Sequence, residues 1–128
     1  KPTKAKYTQM DGKNAENEDW LVTPELDLKG MSEATLTFDS KFTTAVPEDF
    51  QKQYTVLVSS TGDIAKDEDW TELPVIPYDS TTFTTATVSL PAEMIGKKCY
   101  IAWKYTCQET SHVWQLRNVV VKAMTKVD

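Results

Sequence analysis

From Ala34 to Thr43 the chain alternates strictly, with Ala34, Leu36, Phe38, Ser40 and Phe42 on one side and Thr35, Thr37, Asp39 and Lys41 on the other. A repeat of two is the repeat of extended backbone, and over this length it predicts an antiparallel strand with one dry face. The same signature returns at Tyr54 to Ser60, with Tyr54, Val56 and Val58 inward, and from Thr81 to Leu90 through Ala86, Val88 and Leu90. It returns again from Cys99 to Cys107, where Ile101, Trp103 and Tyr105 oppose Tyr100, Ala102, Lys104 and Thr106. No long stretch carries the 3.6-residue period of an amphipathic helix. Ribbons that are apolar on one side can bury that side only against a second layer of the same kind.

Turn chemistry divides the ribbons. Asp27-Leu28-Lys29-Gly30 and Ser59-Ser60-Thr61-Gly62-Asp63 read as turns, Pro24 stops the short segment Trp20 to Thr23, and Pro74 and Pro77 break a strand that starts at Trp70. Pro47 to Gln53 and Pro91 to Gly96 each suit one helical turn, the second ended by glycine. A last strand runs from about Val113 to Lys122, and residues 1–17 form a loose arm or a partial first strand. The expected fold is therefore all-β: one domain over residues 1–128, built as a two-sheet antiparallel jelly-roll β-sandwich of seven or eight short strands.

At 128 residues the chain is long enough for a core of its own. A formal net charge of -5 and scattered lysines argue against a nucleic-acid partner, because that affinity rests on cations neutralising phosphates. No apolar run approaches the roughly 20 residues of a membrane-spanning helix. The first residue, Lys1, is not preceded by a basic and apolar leader, so any export signal is expected to lie upstream or to have been removed. Cys99 and Cys107 sit at the two ends of one strand, about 26 Å apart at the usual rise per residue. A disulfide needs Cα atoms within about 7 Å, so both are expected as free thiols.

The order of motifs adds a resemblance. Asp19-Trp20-Leu21-Val22-Thr23-Pro24-Glu25-Leu26-Asp27-Leu28, Ala34 to Asp39, and Tyr54 to Ser59 are followed by Trp70-Thr71-Glu72-Leu73 and Val88-Ser89-Leu90. After these come Gly96 to Tyr105 and Trp114-Gln115-Leu116-Arg117-Asn118-Val119-Val120-Val121. Together, over residues 5–122, they resemble the cleaved-adhesin and choice-of-anchor J domains of Bacteroidetes surface proteins. The resemblance implies a jelly roll and a secreted or outer-membrane, cell-surface accessory module, in some members attached to proteases or glycan-degrading systems. Some members bind calcium. Relatives usually carry an acid after the apolar position held here by Leu116, whereas this chain has Arg117-Asn118, and an arginine repels a cation.

Catalytic equipment is missing. His112 is the sole histidine, and its neighbour Ser111 in extended backbone points the other way, with Glu109 nearby. No nucleophile elbow, phosphate-cradling glycine loop or metal-binding histidine pair occurs. The acids cluster in two loops, where solubilising turn chemistry accounts for them more simply than glycoside hydrolysis. Those loops are also the places for a structural calcium ion: Asp11, Glu16 and Asp19 in one, Asp63, Asp67 and Asp69 in the other.

Aromatic side chains decide the binding question, since sugars stack on exposed rings. Trp20, Phe38, Trp103, Tyr105 and Trp114 are expected in the core, which leaves Trp70, Tyr78, Phe83 and Tyr100 as the candidate ligand-binding set. Tyr78 and Phe83 flank Asp79-Ser80-Thr81-Thr82, either as a ligand platform or as a loop folded over the sandwich edge. The function expected is a non-catalytic recognition module, adhesin-like or carbohydrate-binding, with a glycan or a host or other extracellular protein as partner. The alternative is a spacer domain of a larger secreted protein.

Overall fold

A computed structural model describes the backbone of residues 8–10, 17–107 and 113–125, and the side chains of 18–106 and 113–125. Within these residues lie the strands β1 (Thr8–Met10), β2 (Asn17–Val22), β3 (Leu26–Asp27), β4 (Met31–Phe42), β5 (Tyr54–Ser59), β6 (Trp70–Leu73), β7 (Thr84–Ser89), β8 (Lys98–Cys107) and β9 (Trp114–Thr125). Short 3-10 turns occupy Glu48–Gln53, Asp67–Asp69 and Ala92–Met94. One sheet has the order β1-β9-β4-β7 and the other β2-β8-β5-β6, with β3 also pairing with β8. Every pairing is antiparallel, and the pairs β1 with β9, β2 with β8, β4 with β7 and β5 with β6 nest inside one another along the chain. None of the helical segments among the described residues is long and apolar enough to cross a membrane.

The alternation read from the sequence becomes the contact between the sheets. Leu36, Phe38 and Phe42 of β4 meet Tyr54, Val56, Val58, Ile101, Trp103 and Tyr105 of the second sheet, all of them buried. Phe38 touches Trp103 edge to face, with centroids 5.5 Å apart. At one end, Phe42 stacks on Trp114 at 5.7 Å while Tyr54 stacks on Tyr105 at 4.9 Å. Such pairs add about 0.5 to 1.5 kcal/mol each beyond the area they bury. Ser40 is the polar exception on this face. Its hydroxyl accepts the Trp114 indole N–H at 2.9 Å, which satisfies both groups out of water. Cys99 is a free, buried thiol, and burial pushes its pKa up. The side chain of Cys107 lies outside the described set.

Of the two readings of residues 1–17, the partial first strand describes β1, whose Thr8, Gln9 and Met10 pair with Leu116, Gln115 and Trp114. Two other expectations change. Trp20 is not a core residue: it pairs with Lys104, whose side chain faces out, so the indole stands on the outer face of the second sheet. The last strand runs on to Thr125 and is bulged, since Thr37 pairs with Val120 but Asp39 with Arg117. Asn118 takes the left-handed conformation at φ 57°, a role Asn tolerates better than most residues. The extra residue turns Val121 onto the core beside Leu36 and leaves Val119 and Val120 exposed.

Candidate functional site

The second sheet carries an aromatic layer on its outer face. Cross-strand register places Trp20 with Lys104, Val22 with Leu57 and Ala102, and Trp70 in one row with Ser59 and Tyr100. The rings of Trp20 and Trp70 approach to 5.3 Å across the row that holds Ala102. Ala102 is 0% exposed although its parity is outward, so the indoles act as a roof over the sheet. Lys104 lies 4.9 Å from the Trp20 ring, a cation–π contact. The Trp20 indole N–H donates to Glu18 at 2.7 Å.

The two sides of this layer differ in exposure. Trp70 is only 9% exposed, and its indole N–H donates to the Asp63 carbonyl at 3.0 Å. Tyr100 is half-buried; its hydroxyl donates to Glu25 at 3.1 Å, and that hydrogen bond to the carboxylate holds the phenol pKa up. Glu25 also lies 3.5 Å from Lys98. Gly62, at φ 72°, rests on the Tyr100 ring so closely that a Cβ there would lie 2.8 Å from it. Only glycine fits this approach.

The acidic loop beside Trp70 is organised from within. Ser59 Oγ accepts the N–H groups of Thr61 and Gly62, both at 3.0 Å. The Thr61 hydroxyl donates to Asp69 Oδ2 at 2.7 Å, and Asp63 Oδ1 accepts the Ala65 N–H at 3.0 Å. Asp67 lies in the short 3-10 turn of this loop, while Asp19 sits on β2 opposite Tyr105. Among the described residues no three His, Cys, Asp or Glu side chains gather as a metal site. Asp11, Glu16, Glu109, Ser111 and His112 lie outside the described residues.

The other two candidate ligand residues part company. Tyr78 turns inward: its hydroxyl donates to the Tyr54 carbonyl at 2.8 Å and its ring stacks on Phe42 at 6.2 Å. Burial, with the Glu72 charge second, raises its pKa. The loop is further tied down by Phe42 N–H to the Ser80 carbonyl and Val46 N–H to the Tyr78 carbonyl, each at 2.9 Å. The edge-folding alternative thus describes Tyr78.

Phe83 instead joins the outer face of the first sheet. The Arg117 guanidinium carbon lies 3.8 Å from its ring centroid and the Lys41 ammonium 5.7 Å. Beside it, the Asp39 carboxylate accepts the Thr85 hydroxyl at 2.7 Å, the Asn118 amide at 2.8 Å and Arg117 Nε at 3.4 Å. Those donors, Asn118 foremost and then Thr85, hold the Asp39 pKa below its ordinary value. Arg117 and Asn118, the residues after Leu116, are therefore the partners of an acid on the neighbouring strand.

Sequence reasoning thus named Trp70, Tyr100 and Phe83 for surfaces they do flank, and missed Trp20, Lys104, Lys41 and Arg117 as members of those surfaces. Parity alone put Lys104 outward, which was the available signal for its place. For Trp20 the run Asn17–Val22 has no alternation to read. No family model, curated protein or solved structure matches this chain.

Proposed function

We propose that this domain is a non-catalytic recognition module, secreted or held at an outer-membrane cell surface, that binds a glycan on the outer aromatic face of its second sheet. The carrying observation is the arrangement of half-buried Trp20 and Tyr100 around the roofed Ala102, with Lys104 over the Trp20 ring. A sugar presents an apolar face of C–H groups that stacks on indole or phenol, while Glu18, Glu25 and Lys104 are placed to exchange hydrogen bonds with its hydroxyls. The nested strand pairs and the resemblance to cleaved-adhesin domains support a jelly-roll adhesin reading.

The test is a glycan array followed by native mass spectrometry, with extracellular-matrix proteins on the same surface. Saturable binding lost in both Trp20→Ala and Tyr100→Ala, with unchanged far-UV circular dichroism, is the expected result. Silence across all glycans and proteins overturns the proposal in favour of a spacer domain. Turnover of any glycoside or peptide overturns its non-catalytic part.

A further inference from the structure

The first sheet's outer face holds a second constellation that the aromatic site does not use. It sits over β4, which is paired on one side with β7 and on the other with β9. With both of its edges in use there, β4 offers no free backbone for an added strand, so recognition at this place must come from side chains. The side chains are Arg117, Lys41 and Phe83, ringed by Thr85 and Asn118.

Arg117 is built in a particular way. Its Nε side faces Asp39 at 3.4 Å and its guanidinium carbon lies over Phe83 at 3.8 Å, yet the side chain is 41% exposed. The left-handed Asn118 and its bulge fix the strand at this point, and the Asn118 amide takes the same Asp39 oxygen. A guanidinium offers five N–H donors, and Nε supplies only one. Among the described residues the Nη groups donate to nothing, so the planar two-nitrogen edge remains for a planar acceptor.

Arginine held on one side and open on the other is suited to grip a carboxylate through two parallel hydrogen bonds. Lys41 supplies a second cation to the same spot. Asp39 stays ionised among its donors Thr85, Asn118 and Arg117, so Arg117 and Lys41 together leave one net positive charge at this spot for an incoming anion. Thr37 and Thr87, paired across β4 and β7 on the same outward side as Asp39 and Thr85, add hydroxyls suited to a ligand that is itself rich in hydroxyls.

We infer that Arg117, Lys41 and Phe83 form a second binding site on the first sheet, which takes the carboxylate of an acidic sugar such as a uronic or sialic acid residue. This site is independent of the aromatic face, on the other sheet, and stands whether or not that face binds a neutral glycan.

Isothermal titration of the whole chain with trigalacturonate and with 3′-sialyllactose, against lactose, tests it. A response to lactose reads the aromatic face, and a response to the acids beyond that of lactose reads this one, so each reading can fail alone. Expected is saturable binding of at least one acid that weakens when salt rises from about 50 to about 500 mM. Arg117→Lys keeps the charge and loses the fork, and is expected to weaken that binding about tenfold or more. Lys41→Ala should weaken it several-fold, and provides the second reading should Arg117→Lys melt early.

Three results overturn the inference. One is the absence of acid binding in excess of lactose at millimolar concentration. Another is undiminished binding in folded Arg117→Lys and Lys41→Ala. The third is equal binding of diglycine or inorganic phosphate, which would make the place a general anion contact and not a sugar site.

Discussion

The two outer faces of the sandwich solve the same problem in opposite ways. The face of β2, β8, β5 and β6 covers itself with indole, so that an outward alanine is as dry as the core. The face of β1, β9, β4 and β7 stays wet, lined with threonines and one carboxylate tied to three donors. A sheet's solvent side can thus be a thin second core or a polar lattice. Which of these it becomes depends on a few side chains that meet across strands and not on strand composition.

Substitutions on the aromatic face should break this contrast most clearly. Trp70→Ala removes a nearly buried indole and frees the Asp63 carbonyl, and is expected to cost about 3 to 5 kcal/mol in urea unfolding. Trp20→Ala, at the more exposed side of the pair, should cost only about 1 kcal/mol. Equal losses would mean that the roof is not divided into a structural and an exposed half.

Next in size is a pair of glycine variants. Gly30 has φ 78° with nothing within 4 Å of a Cβ, so Gly30→Ala measures backbone strain alone, about 1 kcal/mol. Gly62→Ala adds a collision with the Tyr100 ring and should cost about 1 to 3 kcal/mol more. If the two variants unfold at the same denaturant concentration, the packing of Gly62 on Tyr100 is not a stabilising contact.

The polar face is sharpened by pH. The Asp39 pKa is lowered in the folded protein, so its contribution is complete above the unfolded carboxylate value of about 3.9 and is lost as pH falls through the lowered folded value. The stability gap between the native chain and Asp39→Asn should therefore be flat near neutrality and close in acid. A gap that persists unchanged at pH 2 would show that the carboxylate charge plays no part.

The smallest effects belong to the bulge and the acidic loop. Asn118→Gly relieves the left-handed strain while deleting one donor to Asp39, and should change stability by no more than about 0.5 kcal/mol. Melting in calcium against chelator is expected to superimpose as far as the Asp63 to Asp69 loop is concerned, since Asp63 and Asp69 already accept bonds from Ala65 and Thr61. A calcium ion held at 100 times its dissociation constant would instead add about 2.7 kcal/mol, and a gain abolished by Asp63→Asn would place the ion in this loop and overturn the expectation.

Much of the core was legible because alternation is a local property. Ala34 to Phe42, Tyr54 to Val58 and Ile101 to Tyr105 each state their own inward side, and the structure follows them. The bulged strand was not legible: Val119-Val120-Val121 has no parity of its own, and only the left-handed Asn118 decides which valine goes in. The polar cluster was hidden for a different reason. Asp39, Phe83 and Arg117 lie far apart along the chain, and nothing near any one of them announces the others.

The residue pattern by itself determined that this chain folds as an all-β pair of sheets and which side of each regular strand is dry, because a period of two needs no knowledge of neighbours. Tertiary pairing alone decided that Trp20 faces out to meet Trp70 and that Arg117 and Asn118 close on Asp39. Register between distant strands is set by the packing of the whole core, and shifting a pairing by one residue would have scattered both groups.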